Sequence, residues 1–201
     1  MKSTFFKKFG LVLGLVLAAA IAGSAQDFDV AFGVGKLIAP SASSASGNHN
    51  PVSLTGGAYP VFTADYLLKH NFGFGGEIAW RASRNLYAGF QPYRPLLYDF
   101  GAVYAPHARR IGAELQAGIG WESLRFYQPF FNCSGFTGCS NFVSSNHFMG
   151  HFGGGLRYYF KGHFFVRPEA HVYLIRNNVE FSSPLATRVG VSLGYTFAPG
   201  F

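Results

Sequence analysis

Residues 189–197 read Val-Gly-Val-Ser-Leu-Gly-Tyr-Thr-Phe, a run in which every second residue is apolar and the others are small or polar. Successive side chains of a β-strand point to opposite faces, so this spacing predicts a strand with one apolar face. Seven earlier runs show the same period of two: residues 28–35, 62–68, 72–81, 96–104, 111–121, 148–160 and 164–174. The sequence therefore predicts eight strands.

The two faces of these runs differ in charge. No residue on the apolar face is charged, although Asp, Glu, Lys and Arg make up 12% of the chain. The opposite face carries the charges, namely Asp29, Asp65, Glu77, Arg81, Asp99, Glu114, Arg157, Arg167, Glu169 and Arg188. A soluble sandwich could turn such a charged face to water, so the alternation alone leaves two folds open.

Two further features favour a barrel that spans a membrane with its apolar face outward. The connections near 37–57, 82–93, 122–147 and 175–187 are long, whereas those near 69–71, 105–109 and 161–163 are short. Up-and-down membrane barrels have this asymmetry, with long outer loops and tight periplasmic turns. The apolar face is also aromatic at both ends, as at the interfaces of a bilayer. Unpaired strand edges are prohibitive in lipid, which requires closure. The predicted fold is an all-β, eight-stranded antiparallel up-and-down transmembrane β-barrel.

The N-terminal segment has the organisation of an export signal. Lys2, Lys7 and Lys8 precede the apolar run 11–22, which is too short to span a bilayer, and small residues follow. We predict a cleavable signal peptide over residues 1–25 and a barrel domain over residues 26–201. Part of the formal charge of +7 lies in this segment. No long basic run remains after it, so nucleic acid is not an expected partner.

The last predicted strand carries a more specific resemblance. Its alternating apolar residues Val191, Leu193, Tyr195 and Phe197 resemble the C-terminal insertion signal of bacterial outer-membrane barrels. Over roughly residues 27–197 the chain resembles the small outer-membrane β-barrel family of the OmpA/OmpX type. Residues 198–201 depart from that pattern, so either Phe197 or Phe201 is the recognised terminus.

The resemblance implies a place and partners. The expected location is the outer membrane of a Gram-negative-type bacterium, where outer-membrane lipid surrounds the barrel. The barrel-assembly machinery and periplasmic chaperones are the partners that it implies during biogenesis. We expect the folded protein to be a monomer.

Cys133 and Cys139 are the only two cysteines. In an exported protein, an isolated close pair of cysteines most often forms a structural disulfide. We therefore predict a disulfide that closes a short loop rather than a metal site.

The charged face suggests an ion-pair network inside the barrel, where closure would bring Arg188 toward Asp29. A charged constriction in a narrow pore is the alternative. His151, His171 and Glu169 form a set that could bind zinc, but a hydrogen-bonded polar core explains them without a metal, so we expect no cofactor.

The long connections hold the remaining candidates. Ser144, Ser145 and His147 with Glu180 could imitate a lipid-hydrolysing triad, although their spacing matches no such enzyme. Segment 122–147 holds six aromatic residues around the cysteines, namely Phe126, Tyr127, Phe130, Phe131, Phe136 and Phe142. They form either a contact site for an extracellular ligand or a lid over the barrel mouth.

The sequence thus predicts a non-enzymatic integral outer-membrane β-barrel, structural or surface-binding through its long extracellular loops. A narrow porin-like channel for small solutes or ions is one alternative. A lipid A-modifying barrel enzyme is the other.

Overall fold

The computed structural model describes residues 27–40, 52–68, 71–134 and 138–197. The predicted signal peptide and the last four residues, 198–201, lie outside this part of the chain. The strands are β1 (Asp27–Ile38), β2 (Ala58–Leu67), β3 (Phe72–Trp80), β4 (Asn85–Tyr87), β5 (Gln91–Tyr104), β6 (His107–Ala108), β7 (Ile111–Ser134), β8 (Gly138–Lys161), β9 (Phe164–Ile175) and β10 (Leu185–Phe197). No helix in the described ranges is long and apolar enough to cross a membrane.

Eight of these strands close into a ring in which every neighbouring pair is antiparallel. The order is β1, β2, β3, β5, β7, β8, β9 and β10, and β10 pairs back onto β1. The short strands β4 and β6 only extend hairpins at the edges of β5 and β7. The predicted eight-stranded antiparallel up-and-down barrel is confirmed.

The predicted faces are confirmed as well. Leu115 on β7 is 60% exposed and Leu193 on β10 is 55% exposed, both on the outer surface. On the inner face, Arg167 is 1% exposed and Arg188 is fully buried. A soluble sandwich would bury its apolar residues and expose its charges. This molecule does the reverse along the middle of its strands, as a barrel in lipid must.

Aromatic side chains lie at both ends of the apolar exterior. Next to the short turns, Phe28 packs on Phe197 with ring centroids 5.9 Å apart. At the opposite end, the Trp121 ring lies between Tyr98, at 6.1 Å, and Phe148, at 5.9 Å. We call Tyr98, Trp121 and Phe148 the outer aromatic row. Amphipathic rings favour the interface between hydrocarbon and headgroups, so this row marks one edge of the apolar band.

The prediction that segment 122–147 is a long loop is wrong for most of its length. β7 and β8 each contain 24 residues and pair from the short-turn end past the outer aromatic row. The pairing continues to Tyr127 opposite Phe142, shifts register, and resumes at Asn132 opposite Ser140. β1, β5 and β10 also extend into segments predicted as loops. The barrel wall is therefore taller than the apolar band.

The chemistry of the two faces reverses beyond the outer aromatic row, while their alternation keeps its phase. Three neighbouring pairs show the change, each with a buried apolar residue beside a basic residue on the outer face: Lys36 and Leu37, Tyr93 and Arg94, Leu124 and Arg125. Water replaces hydrocarbon outside at this level, so the charges move out and the apolar residues move in. Because of this reversal, the strand ends lack the charge-free face from which strands were predicted, and the sequence analysis assigned them to loops.

These inward apolar residues close the barrel at its long-loop end. We call this group the apolar plug, and its large members are Leu37, Leu54, Tyr59, Val61, Tyr93, Leu97, Leu124, Met149, Tyr173, Ile175 and Phe181. The Tyr93 ring lies 5.3 Å from that of Phe181, which the last long connection contributes. The plug forms a compact apolar core above the membrane-level interior.

Candidate functional site

The membrane-level interior is filled by a continuous ion-pair network. Near the short turns, Arg157 on β8 donates to Asp29 and Glu114, and Arg167 on β9 donates to the same Glu114. Asp65 lies 3.6 Å from Arg157 and 3.9 Å from Arg167. All five side chains are almost completely buried. Each guanidinium therefore pairs with several carboxylates that are almost completely buried.

The network continues toward the plug through Glu169. Arg167 Nε donates to Glu169 at 2.8 Å, and Arg188 on β10 donates to Glu169 at 2.7 Å and to Glu77 at 2.6 Å. The Tyr173 hydroxyl accepts from Arg188 at 2.9 Å and donates to Glu77 at 2.6 Å. Tyr173 also belongs to the plug, so it joins the two levels of the interior.

Nine of the ten charged residues predicted to face inward belong to this connected set, which also contains His151 and His171. Arg81 does not. It lies at the long-loop end, where its Nη1 is 3.4 Å from the Tyr93 hydroxyl and its guanidinium lies 6.0 Å above the Tyr93 ring. Removing one member of a buried pair leaves an uncompensated charge, which costs about 3–5 kcal/mol.

The predicted approach of Arg188 to Asp29 is wrong. β10 does pair with β1, but the register sets Asp29 opposite Thr196 and Arg188 opposite Leu37. Arg188 therefore lies far along the strand from Asp29, and Arg157 takes that carboxylate instead. Strand adjacency could be predicted from the sequence, but the register could not.

The two interior histidines lie beside Arg188. His151 Nδ1 is 2.9 Å from Asp99 Oδ1, and His151 Nε2 is 2.8 Å from His171 Nδ1. Glu169, named with them in the sequence, is 3.8 Å from His171 Nε2 on the far side of the ring. Glu77 is the carboxylate that shares a potential metal site with both rings.

The Ser–His–Glu group at the rim does assemble, though not as a relay. Ser145 Oγ lies 3.1 Å from His147 Nε2 and donates to Glu180 at 2.5 Å. Glu180 lies 2.9 Å from the same nitrogen. A hydrolytic triad needs the hydroxyl on one imidazole nitrogen and the acid on the other. Because both partners lie on Nε2 and the serine donates to the acid, the three side chains do not have the order of a catalytic triad.

Glu122 lies just beyond the outer aromatic row and outside the membrane-spanning segments. It is fully buried, and within the described ranges neither carboxylate oxygen has a hydrogen-bond partner. Burial, with a smaller contribution from Glu180, raises the pKa of Glu122 to about 8. This carboxyl is thus held mostly protonated at neutral pH.

The end of the β7–β8 hairpin rises above the rest of the wall. Cys133 and Cys139 form a disulfide there. The predicted aromatic cluster divides into two groups. Phe126 joins the plug, with its ring 6.1 Å from Tyr93, whereas Phe130 is 57% and Phe131 is 69% exposed.

Of the other aromatic residues of the hairpin, two pack on each other and one lies outside the described residues. Tyr127 packs on Phe142 at 6.0 Å and lies beneath the Arg84 guanidinium at 3.7 Å. Phe136 lies outside the described residues. The cluster therefore provides both a lid and an exposed patch.

Sequence reasoning missed the plug. Leu97, Leu124, Met149 and Phe181 were not singled out, because the inner face was assigned from its charges alone. Strand alternation could have revealed it. Leu97, Leu124 and Met149 lie an even number of residues from Asp99, Glu114 and His151, respectively, so each shares the inner face with that residue.

Among the described residues, two spaces lie along the interior. A cavity of about 350 Å³ opens at the short-turn end and reaches inward to Arg157. At mid-barrel, a void of about 10 Å³ lies between Gln116, Gly118 and His151. The ion-pair network and the plug occupy the levels above the short-turn cavity.

Comparison with known proteins identifies the fold class. The structure matches Neisserial surface protein A with a TM-score of 0.57 at 10% identity, covering 87% of this chain and 98% of that one. It matches Ail, the attachment invasion locus protein of Yersinia pestis in complex with the heparin analogue sucrose octasulfate, with a TM-score of 0.55 at 11% identity, covering 86% and 99%.

A third match is the N-terminal β-barrel domain of Pseudomonas aeruginosa OprF, with a TM-score of 0.51 at 14% identity, covering 87% and 99%. No family model matches the chain, and no curated protein does. The molecule therefore has the fold of the small outer-membrane β-barrels, and the predicted resemblance in fold is confirmed.

Proposed function

We propose that this chain is a non-enzymatic barrel of the bacterial outer membrane that acts at its long-loop end by presenting the β7–β8 hairpin to a partner. The exposed Phe130 and Phe131, on a hairpin closed by a disulfide, carry this proposal. Exposed apolar patches of this kind often mark contact sites. The matched barrels described as a surface protein and as an attachment protein have the same fold.

The exterior supports the membrane location. Its apolar band needs hydrocarbon, and Arg94 and Arg125 form a cross-strand pair on the outer face beyond the band. Guanidinium groups at that height can bind the phosphates of outer-membrane lipid. Val191, Leu193, Tyr195 and Phe197 line the outer face of the closing strand, where we propose that the assembly machinery recognises them.

Labelling of intact cells tests location and orientation. After mild reduction, Cys133 and Cys139 should react with a membrane-impermeant maleimide on intact cells. A cysteine introduced by Lys161→Cys, at an exposed position beside the opposite turn, should react only after permeabilisation in a C133S/C139S background. Labelling of Lys161→Cys on intact cells would overturn the proposed orientation.

The role of the hairpin is tested by adhesion. Cells that display the F130S/F131S variant should adhere to host-cell monolayers less than cells that display the wild type. Val179→Ser is the matched control, because Val179 is 70% exposed on another long connection. Equal adhesion by the F130S/F131S variant and the wild type would show that these hairpin residues do not contact the partner.

The filled interior supports a closed barrel over a porin-like channel, since eight strands enclose little more than their own side chains. Planar-bilayer recordings should show no steady conductance, and a reproducible single-channel step would favour the channel. The arrangement at Ser145 gives no support to a lipid A-modifying enzyme. Lipid A mass spectra should be the same with and without the protein.

A further inference from the structure

His151 on β8 and His171 on β9 meet inside the barrel, and both are 1% exposed. His151 Nε2 and His171 Nδ1 face each other at 2.8 Å. Gly153 lies against the His171 ring, and a side chain at Gly153 would overlap that ring. The position of His171 therefore requires glycine at this point of β8.

Carboxylates also lie on the outer sides of the pair. Asp99 lies 2.9 Å from His151 Nδ1, and Glu169 lies 3.8 Å from His171 Nε2. At 2.8 Å, the two nitrogens that face each other are close enough for a hydrogen bond between the rings. A small turn of both rings would instead direct the two nitrogens at one ion between them.

Glu77 supplies a third donor on the same side. Its Oε2 lies 3.7 Å from His171 Nδ1, and the donor atoms of Glu77, His151 and His171 all lie within 4.8 Å of one another. The three residues come from β3, β8 and β9, so only the closed barrel brings them together.

The surrounding charge also favours a cation. Within the described residues, the connected network holds three guanidinium groups, those of Arg157, Arg167 and Arg188. It holds six carboxylates: Asp29, Asp65, Glu77, Asp99, Glu114 and Glu169. A buried divalent ion would offset negative charge on the ionised members of this set.

We propose that Glu77, His151 and His171 bind one divalent transition-metal ion of the Zn²⁺ type inside the barrel. Two imidazoles and a carboxylate form a donor set that suits zinc. Tetrahedral coordination places two nitrogens about 3.3 Å apart, so the rings need to separate by only about half an ångström. Asp99, 2.9 Å from His151 Nδ1, then acts as the outer carboxylate that orients a metal-bound histidine.

The position of the site implies that the ion is bound during folding. Arg157 and Arg167 lie between the short-turn cavity and the histidines, and the plug covers the other side. Metal binding at a site formed by folding contributes to folding stability. The proposed role is therefore structural, and it is independent of any partner at the hairpin.

The experiment uses tag-free, full-length mature protein refolded into nanodiscs with Zn²⁺ or Co²⁺, then passed through a chelating column. We expect one Zn²⁺ per barrel, visible d–d absorption from the Co²⁺ form, and higher thermal stability than metal-free protein. His151→Gln and His171→Gln should lose the ion. His107→Gln, an exposed histidine at the short-turn end, is the matched control and should retain it.

Asp99→Asn keeps all three donors and should weaken binding about 10–100-fold, as expected for an outer carboxylate. If a histidine variant fails to form the barrel, nitrogen–cadmium couplings to two imidazoles in the wild type provide the same test. Absence of bound ion in the refolded wild type would overturn the proposal and indicate only a hydrogen bond between the rings. Full retention of the ion by both folded histidine variants would also overturn it.

Discussion

The interior of this barrel has two levels with opposite chemistry. At the membrane level, ion pairs among residues such as Glu114 and Arg167 fill the interior, and the outer face is apolar. Beyond the outer aromatic row, Leu124 and Tyr93 fill the interior, and Arg125 and Arg94 lie on the outer face. The strands keep the same alternation through both levels. Strand geometry therefore decides which residues share a face, whereas the lipid or water outside decides the chemistry of that face.

The largest expected effect is in the membrane-level network. Arg167→Met removes one of the two guanidinium groups that pair with Glu114 and with Glu169, and we expect a loss of about 3–5 kcal/mol in the free energy of unfolding. Urea unfolding in liposomes measures it. Arg110→Met, at an exposed position, should change this free energy by about 0.5 kcal/mol or less. Equal values for the two variants would mean that the network adds no stability.

The next effect is in the plug. Leu124 is fully buried, so Leu124→Ala should cost about 3 kcal/mol through lost burial and a residual cavity. The same unfolding experiment measures it, with Val143→Ala as control because Val143 is 50% exposed on the neighbouring strand. A cost for Leu124→Ala no larger than that of Val143→Ala would show that the plug is not a packed core.

Glu122 is a buried carboxyl group in the apolar level of the interior. Folding raises its pKa from 4.5 to about 8. The folded state therefore holds a proton that the unfolded state releases. The contribution of this carboxyl group to folding stability is greatest below pH 4.5 and is lost as the pH rises through 8. We expect Glu122→Gln to exceed the wild type in stability at pH 9 and to match it near pH 4. Parallel pH profiles for the two proteins would contradict this reasoning.

The smallest effect on the barrel as a whole is at the hairpin end. Closing so short a loop is worth about 2 kcal/mol by chain entropy, and the C133S/C139S variant should lose it locally. Limited proteolysis should cut its hairpin faster, while urea unfolding of the barrel stays unchanged. Unfolding of the whole barrel at lower urea would show that the hairpin and the wall form one cooperative unit.

Much of the fold could be predicted because period-two alternation is a direct consequence of strand geometry. The apolar positions from Phe28 to Phe197 and the inward charges were assigned to their faces from this alone. Strand ends were not predicted, because the reversal at Leu37 and Leu124 removes the charge-free outer face that identified the strands. Glu114 and Leu124 lie an even number of residues apart, so continuing the alternation along the strand would have placed Leu124 on the inner face and identified the plug.

The contacts within the candidate sites could not be predicted from the sequence. Whether Arg157 or Arg188 meets Asp29 depends on the register, which one strand does not encode by itself. The partnership of Glu77 with the two histidines likewise depends on three strands closing at one height. Residue type identified the candidates, and only the closed barrel determined their partners.

The central claim is that one face meets lipid and the other meets a charged interior. Leu115 and Gln116 are neighbours on β7: Leu115 is 60% exposed outside, and Gln116 donates to Glu114 at 2.6 Å inside. Urea unfolding in liposomes should show that Leu115→Arg loses about 2–4 kcal/mol. Gln116→Arg should lose clearly less, because its charge adds a cation to an acidic interior. An equal or larger loss for Gln116→Arg would contradict the assignment of the two faces.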